Sequence, residues 1–142
     1  MAPKITLSTE LRKLIEIRLE QTILGIEDTL EKIMDKQEIT PSALKEELKS
    51  LEESFNTLFQ KWNFEILYTL ILKGGMGFGE LKKILGVNSR TLSDKLKTLT
   101  KNTYINRNVN PGPPLRVAYV LTSKGKNTVL LALPLLYYTS ST

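Results

Sequence analysis

From Ser8 to Gln37 the chain contains no proline and one glycine, Gly25, and its apolar side chains fall at Leu11, Ile15, Leu19, Ile23, Ile26, Leu30 and Ile33. Steps of three and four throughout draw one stripe along a helix of about thirty residues. Ser8 or Thr9 is expected to cap it, with Glu10 at the positive end of the helix dipole. Thr40-Pro41 opens a second helix, threonine as N-cap and proline at the first helical position, where its missing N–H costs nothing. Leu44, Leu48, Leu51, Phe55, Leu58 and Trp62 then repeat at alternating steps of four and three, the seam of a coiled-coil-like contact. A third helix runs from about Lys61 to Lys73 with Trp62, Ile66, Leu67, Leu70 and Ile71 as its buried set, either continuing the second or starting after a bend near Gln60. Gly74-Gly75 ends it. A short helix covers Phe78 to Leu85 and closes at Gly86. Ser89 caps another that reaches about Asn102, with Leu92, Leu96 and Leu99 on one face.

After Asn102 the period changes. Tyr104 to Val109 and Arg116 to Thr122 are β-branched and aromatic-rich and flank Asn110-Pro111-Gly112-Pro113-Pro114, which predicts a β-hairpin with a stiff tip. Thr122 or Ser123 caps a last helix, strongly apolar from Val129 on, that Pro134 should kink or end. The expected fold is mainly α with a small β-hairpin wing: a winged helix-turn-helix carrying a long N-terminal helical extension. Its expected parts are a helical pair over residues 1–60, a winged-helix body over 61–122 and a C-terminal helix over 123–142.

The two N-terminal stripes need covering, because an isolated helix is marginal in water. They pair either as an antiparallel hairpin within one chain or between chains, the alternative being a monomeric helical cap. The last helix is apolar on nearly all sides and is expected to pack against N-terminal helices, its own or a partner's. The reading favoured by such long seams is a homodimer held by Leu11, Ile15, Leu19, Ile23, Ile26, Leu30, Leu44, Leu48, Leu51, Phe55, Leu131 and Leu135.

Charge sharpens the picture. The formal net charge is +5, yet residues 1–60 carry −4 and residues 61–142 carry +9, the latter with only Glu65, Glu80 and Asp94 as acids. A basic half of this kind points to a polyanion partner, against the plainer reading of a solubilising surface. There is no cysteine and no histidine, which removes disulfides, thiolate chemistry and the usual general base and metal ligand. No cofactor is expected. The longest apolar run, Val129 to Tyr138, is too short to span a bilayer, and Met1 to Leu7 lack the apolar stretch of a signal peptide. The expectation is a soluble cytoplasmic protein, at the nucleoid when bound to DNA.

The basic half also carries a binding scaffold. The tight Gly86-Val87-Asn88 turn makes the helix after it project from the one before. With its leucines buried, that helix is expected to turn Arg90, Thr91, Asp94, Lys95, Lys97 and Thr98 outward, a width that fits the major groove of B-DNA. Arg90 can donate two hydrogen bonds to guanine, Thr91 can touch a thymine methyl, and Lys95 or Lys97 can pair with phosphate. Asp94 either accepts from a cytosine amino group or pairs with a neighbouring lysine. Arg107 and Arg116 flank the wing and can approach phosphates or the minor groove.

Lys61-Trp62 with Ile66-Leu67, Phe78-Gly79-Glu80-Leu81, Ser89-Arg90-Thr91-Leu92-Ser93 with Leu96 and Leu99, Arg107, Pro113-Pro114, Val117-Ala118-Tyr119-Val120-Leu121-Thr122 and Lys124-Gly125 together resemble the HxlR-type transcriptional regulators, winged-helix DNA-binding proteins related to the MarR group. The resemblance covers about residues 58–138. It implies a homodimer on an inverted-repeat operator of double-stranded DNA, with Ser89 to Thr98, Ser93 included, as the recognition surface and the hairpin as the wing. The chain departs from the family pattern in five places, one being an acidic helical pair over residues 8–58 that is longer than the usual short leading helix and implies a dimer built differently. Phe59-Gln60 stands where a glycine pair is usual, Thr103 stands where a glycine is usual, and one extra residue lies between Pro114 and Val117. The cysteine that many members carry near their N-terminus is absent, which excludes thiol signalling.

An enzyme is not expected. Gly74-Gly75-Met76-Gly77-Phe78-Gly79 suggests a phosphate loop only superficially: it follows a helix, Glu80 stands where the last glycine belongs, and no Gly-Lys-Ser/Thr ending follows. The carboxylates of the first 60 residues sit at helical spacing, as on solvated faces. The remaining alternative is a winged helix used as a protein-interaction module without sequence-specific DNA binding. No residue specifies a small-molecule effector.

Overall fold

The computed structural model describes residues 7–140. The elements run α1 (Leu7–Lys36), α2 (Pro41–Phe59), α3 (Asn63–Lys73), α4 (Phe78–Leu85), α5 (Ser89–Lys101), β1 (Ile105–Asn110), β2 (Arg116–Leu121) and α6 (Ser123–Ser140). This is the expected winged helix-turn-helix order. The leader reading of Met1 to Thr6 lies outside the described residues.

The helix ends show which local chemistry prevails. Helix α1 already contains Ser8 and Thr9, so neither caps it. Thr40 does cap α2: its hydroxyl oxygen accepts from the Ala43 amide at 3.1 Å. Helices α2 and α3 are separate. Between them Trp62 takes a left-handed backbone (φ 80°), and the Glu65 carboxylate accepts its amide at 3.1 Å. Asn63 is wholly buried and donates its side-chain amide to the Thr57 carbonyl at 2.6 Å, so an orphan carbonyl at the end of α2 is satisfied by the first residue of α3. Trp62 and Ile71, expected in the core, are half-buried, whereas Ile66, Leu67 and Leu70 are fully covered.

Gly86 closes α4 with φ 66°, a conformation that costs other residues a Cβ clash. The cap of α5 is Asn88, not Ser89: its carboxamide oxygen accepts from the Thr91 amide at 2.8 Å. Both residues are good caps, and the tight turn places Asn88 at the junction. Strands β1 and β2 pair antiparallel from Ile105 with Leu121 to Asn110 with Arg116. The glycine-rich connection contributes a bridge, Met76 and Tyr119 exchanging backbone hydrogen bonds at 3.0 and 2.7 Å, so it is part of the wing's base.

Thr122 caps α6, accepting from the Gly125 amide at 3.0 Å while its hydroxyl donates to the Thr103 carbonyl at 2.6 Å. A Cβ on Gly125 would overlap the Tyr104 carbonyl oxygen, which explains the glycine of Lys124-Gly125. Lys124 donates to the Asn102 carbonyl at 2.9 Å and lies 4.4 Å from the Tyr104 ring centroid. Pro134 does not end α6, which continues to Ser140. Proline removes one amide from the ladder, and the buried Val129, Ala132 and Leu133 anchor the turns before it.

The described chain forms two compact units, Leu51–Ala132 and the remainder. The first holds the buried core: Ile66, Leu67 and Leu70 of α3, Leu81 of α4, Leu92, Leu96 and Leu99 of α5, Ile105 of β1 and Val129 of α6. In the second, the Arg12 guanidinium sits 5.6 Å from the Tyr137 ring centroid and donates to the Ser140 hydroxyl at 3.1 Å, which brings the end of α6 to the start of α1. Leu11, Ile15 and Leu19 are half-buried there, but every residue from Gln21 to Ser50 is exposed. The antiparallel hairpin within one chain is therefore not formed, and from Gln21 to Ser50 both stripes stand open. The expected burial of α6 holds only in part: Leu131 is 78 % and Leu135 55 % exposed.

Candidate nucleic-acid interface

Helix α5 buries one side and offers three rows on the other. Leu92, Leu96 and Leu99 are at most 2 % exposed, and helical geometry then sorts the remaining positions. The outermost row is Arg90, Asp94 and Thr98. Arg90 and Asp94 are exposed, and the half-buried Thr98 returns its hydroxyl to the Asp94 carbonyl at 3.1 Å. Ser93, Lys97 and Lys101 form the row toward the wing, lining one groove together with Arg107 and Tyr119 of the hairpin. Thr91 and Lys95 form the third row, on the opposite flank.

Lys95 differs from its expected place. It is half-buried, and its ammonium donates to the Gln60 carboxamide oxygen at 3.1 Å, beside the α2–α3 corner. It thus sits well round the helix from Lys97 and is not part of one continuous cationic face. Asp94 is in no ion pair among the described residues, where Lys32–Asp28 is the pair formed. It lies one helical turn after Arg90 and lacks the lysine partner that one of the two readings gave it. Ser89 is exposed at the first turn, whereas the Thr91 amide is taken by the cap.

The hairpin's two arginines part company. The register sets Arg107 opposite Tyr119 and Arg116 opposite Asn110. Because side chains alternate along a strand, Arg107 and Arg116 stand on opposite faces of the ribbon. Arg107 shares the groove with Lys97 and Lys101, whereas Arg116 lines a cleft with Glu80, Asn108 and Asn110 on the other side. Both are exposed.

Sequence reasoning missed Lys101 and Tyr119. The signal for Lys101 was available, since it lies four residues after Lys97 and eight after Ser93, on the same row. Tyr119 is found only through strand register. The resulting site has three clustered cations, Lys97, Lys101 and Arg107, beside an exposed Arg90. That arrangement can neutralise a phosphate backbone and present a forked donor to a base edge. No group of acidic residues among the described residues could hold a metal ion, and no helix of the described residues is long and apolar enough to cross a membrane.

Comparison with known proteins follows the same outline. The model of the HxlR-like helix-turn-helix family matches residues 57–137. The HTH-type transcriptional regulator YodB of Bacillus subtilis (strain 168) is 33% identical over 76 residues, 53% of this chain and 67% of that protein. An HTH-type transcriptional regulator of Methanothermobacter thermautotrophicus is 38% identical over 85 residues, 59% of this chain and 64% of its own. Among solved structures, the reduced form of B. subtilis YodB superposes with TM-score 0.58 at 25% identity, over 72% of this chain and 92% of that one. A regulator described as MarR-family, from Enterococcus faecalis V583, superposes with TM-score 0.57 at 29% identity, over 65% and 83%.

Proposed function

This chain belongs to the HxlR-like helix-turn-helix family of transcriptional regulators, and from that premise we propose that it acts as a homodimer reading an inverted repeat in double-stranded DNA. Helix α5 enters the major groove. Arg90 forks onto guanine, Asp94 accepts from a neighbouring cytosine amino group, and Ser89, Thr91, Ser93 and Thr98 contact base edges or sugar–phosphate nearby. Lys97, Lys101 and Arg107 neutralise phosphates along one backbone, Arg116 approaches the duplex from the wing's other face, and Lys95 braces the corner while its charge adds to the field. The dimer is held by the half-buried Leu11, Ile15 and Leu19 and the open Ile23, Ile26 and Leu30 of α1, by Leu44, Leu48, Leu51 and Phe55 of α2, and by Leu131 and Leu135 of α6.

The observation that carries this reading is the groove between α5 and the wing, where cations from two elements, Lys97, Lys101 and Arg107, converge on one channel. A module built only to dock protein has no use for cations placed so. Selection of bound sequences from a random duplex pool tests it. The expected yield is a palindrome whose half-sites lie about 34–36 Å apart or a multiple of that; a pool that stays random through selection overturns sequence-specific recognition.

A further inference from the structure

Helix α2 buries none of its residues, and Leu48 at 56 % and Phe55 at 62 % exposure head an unbroken apolar seam. In heptad terms Leu48 and Phe55 take a-type positions, and Leu44 and Leu51 take d-type ones. The flanking positions carry Lys45 and Glu52 on one side and Glu47 and Ser54 on the other.

We infer that this seam is covered by α2 of a second copy, running antiparallel about a two-fold axis between Lys49 and Ser50. The inference rests on the homodimer reading above and specifies one interface within it. Leu44 then lies on the partner's Phe55, and Leu48 on the partner's Leu51, so that each of the four exposed seam residues of either copy meets one partner. The charges select this direction. Antiparallel pairing sets Lys45 against the partner's Glu52 in two symmetric pairs and Glu47 against the neutral Ser54. Parallel pairing would set Glu47 against the partner's Glu52 twice, like charge on like.

The register also suits a duplex. Gln60, which accepts the Lys95 hydrogen bond, lies about ten residues past the axis, or roughly 16 Å along a helix. Two copies put these α5 attachment points about 32 Å apart along the pair, close to the roughly 34–36 Å between half-sites one turn apart.

Thiol cross-linking of the full chain tests this, because the chain has no cysteine of its own. Leu48→Cys and Leu51→Cys variants are prepared separately, mixed, allowed to exchange subunits and oxidised. The mixture should form disulfide-linked dimer at least about fivefold faster than either variant alone. Faster linking within each variant alone means parallel pairing and overturns the inference. A dimer in sedimentation that resists cross-linking also overturns it while leaving the homodimer standing, and a monomer in sedimentation defeats both. As an independent measurement, Lys45→Glu should weaken dimerisation about tenfold at low salt, and Lys45→Glu with Glu52→Lys should restore it. Failure of the pair to restore counts against the register.

Discussion

The unit from Leu51 to Ala132 and the helical stretch from Gln21 to Ser50 solve the burial problem in opposite ways. In the first, apolar stripes of α3, α4 and α5 close on one another, on Ile105 and on Val129, and the cations are left outside. In the second, stripes of equal regularity stand open to solvent, Ile26 at 64 % exposure. Periodicity therefore reports which side of a helix wants covering, not whether its own chain does the covering. A stripe left exposed at this length is what the proposed homodimer would cover.

The comparison breaks most visibly under core truncation. Leu92→Ala should destabilise the Leu51–Ala132 unit by about 2–5 kcal/mol, read from urea midpoints, whereas Leu30→Ala should leave that transition in place and, under the homodimer proposal, weaken only self-association. If Leu30→Ala shifts the same transition equally, the two regions share one core and the contrast fails. On the DNA side, Arg90→Ala should cost about 1–3 kcal/mol of discrimination at one base position of a selected operator, measured by competition titration. Lys101→Ala should instead weaken every duplex alike and flatten the log–log salt dependence by about 0.9. Lys95→Ala should change that slope by less, since its ammonium is engaged by Gln60.

The smallest effect is a gain. Thr103 holds φ at 65°, a left-handed backbone that a β-branched side chain resists. Thr103→Gly should therefore stabilise the body by about 1 kcal/mol in the same urea titration.

Much of this architecture was legible residue by residue. Glycine at 74 and 86, Pro41 behind Thr40, and the switch to β-branched residues after Asn102 marked boundaries because each acts through its own backbone preferences. At position 103 the resemblance marked a threonine where glycine is usual, but the positive φ itself came only from the structure. What stayed hidden needed through-space knowledge. Asn88 and Ser89 are both able caps, and only turn geometry chose between them. Lys95 and Lys97 look equivalent in a list of cations, yet two positions on a helix differ by more than half a turn, and the α2–α3 corner captured one of them. Arg107 and Arg116 appeared as a pair until strand register set them back to back. Pro134 inside α6 shows that a helix anchored by buried turns survives a lost amide.

The corner at Thr57–Asn63 is a braced joint inside the Leu51–Ala132 unit. With the Asn63 carboxamide locked onto the Thr57 carbonyl and Gln60 tied to Lys95, the end of α2 from Leu51 to Phe59 is held to α3 and α5 at two points. Under the α2 pairing proposed above, the length of that segment would act as a ruler: lengthening it would change operator spacing without touching a single base-reading side chain, so that target choice and site geometry would drift independently in descent.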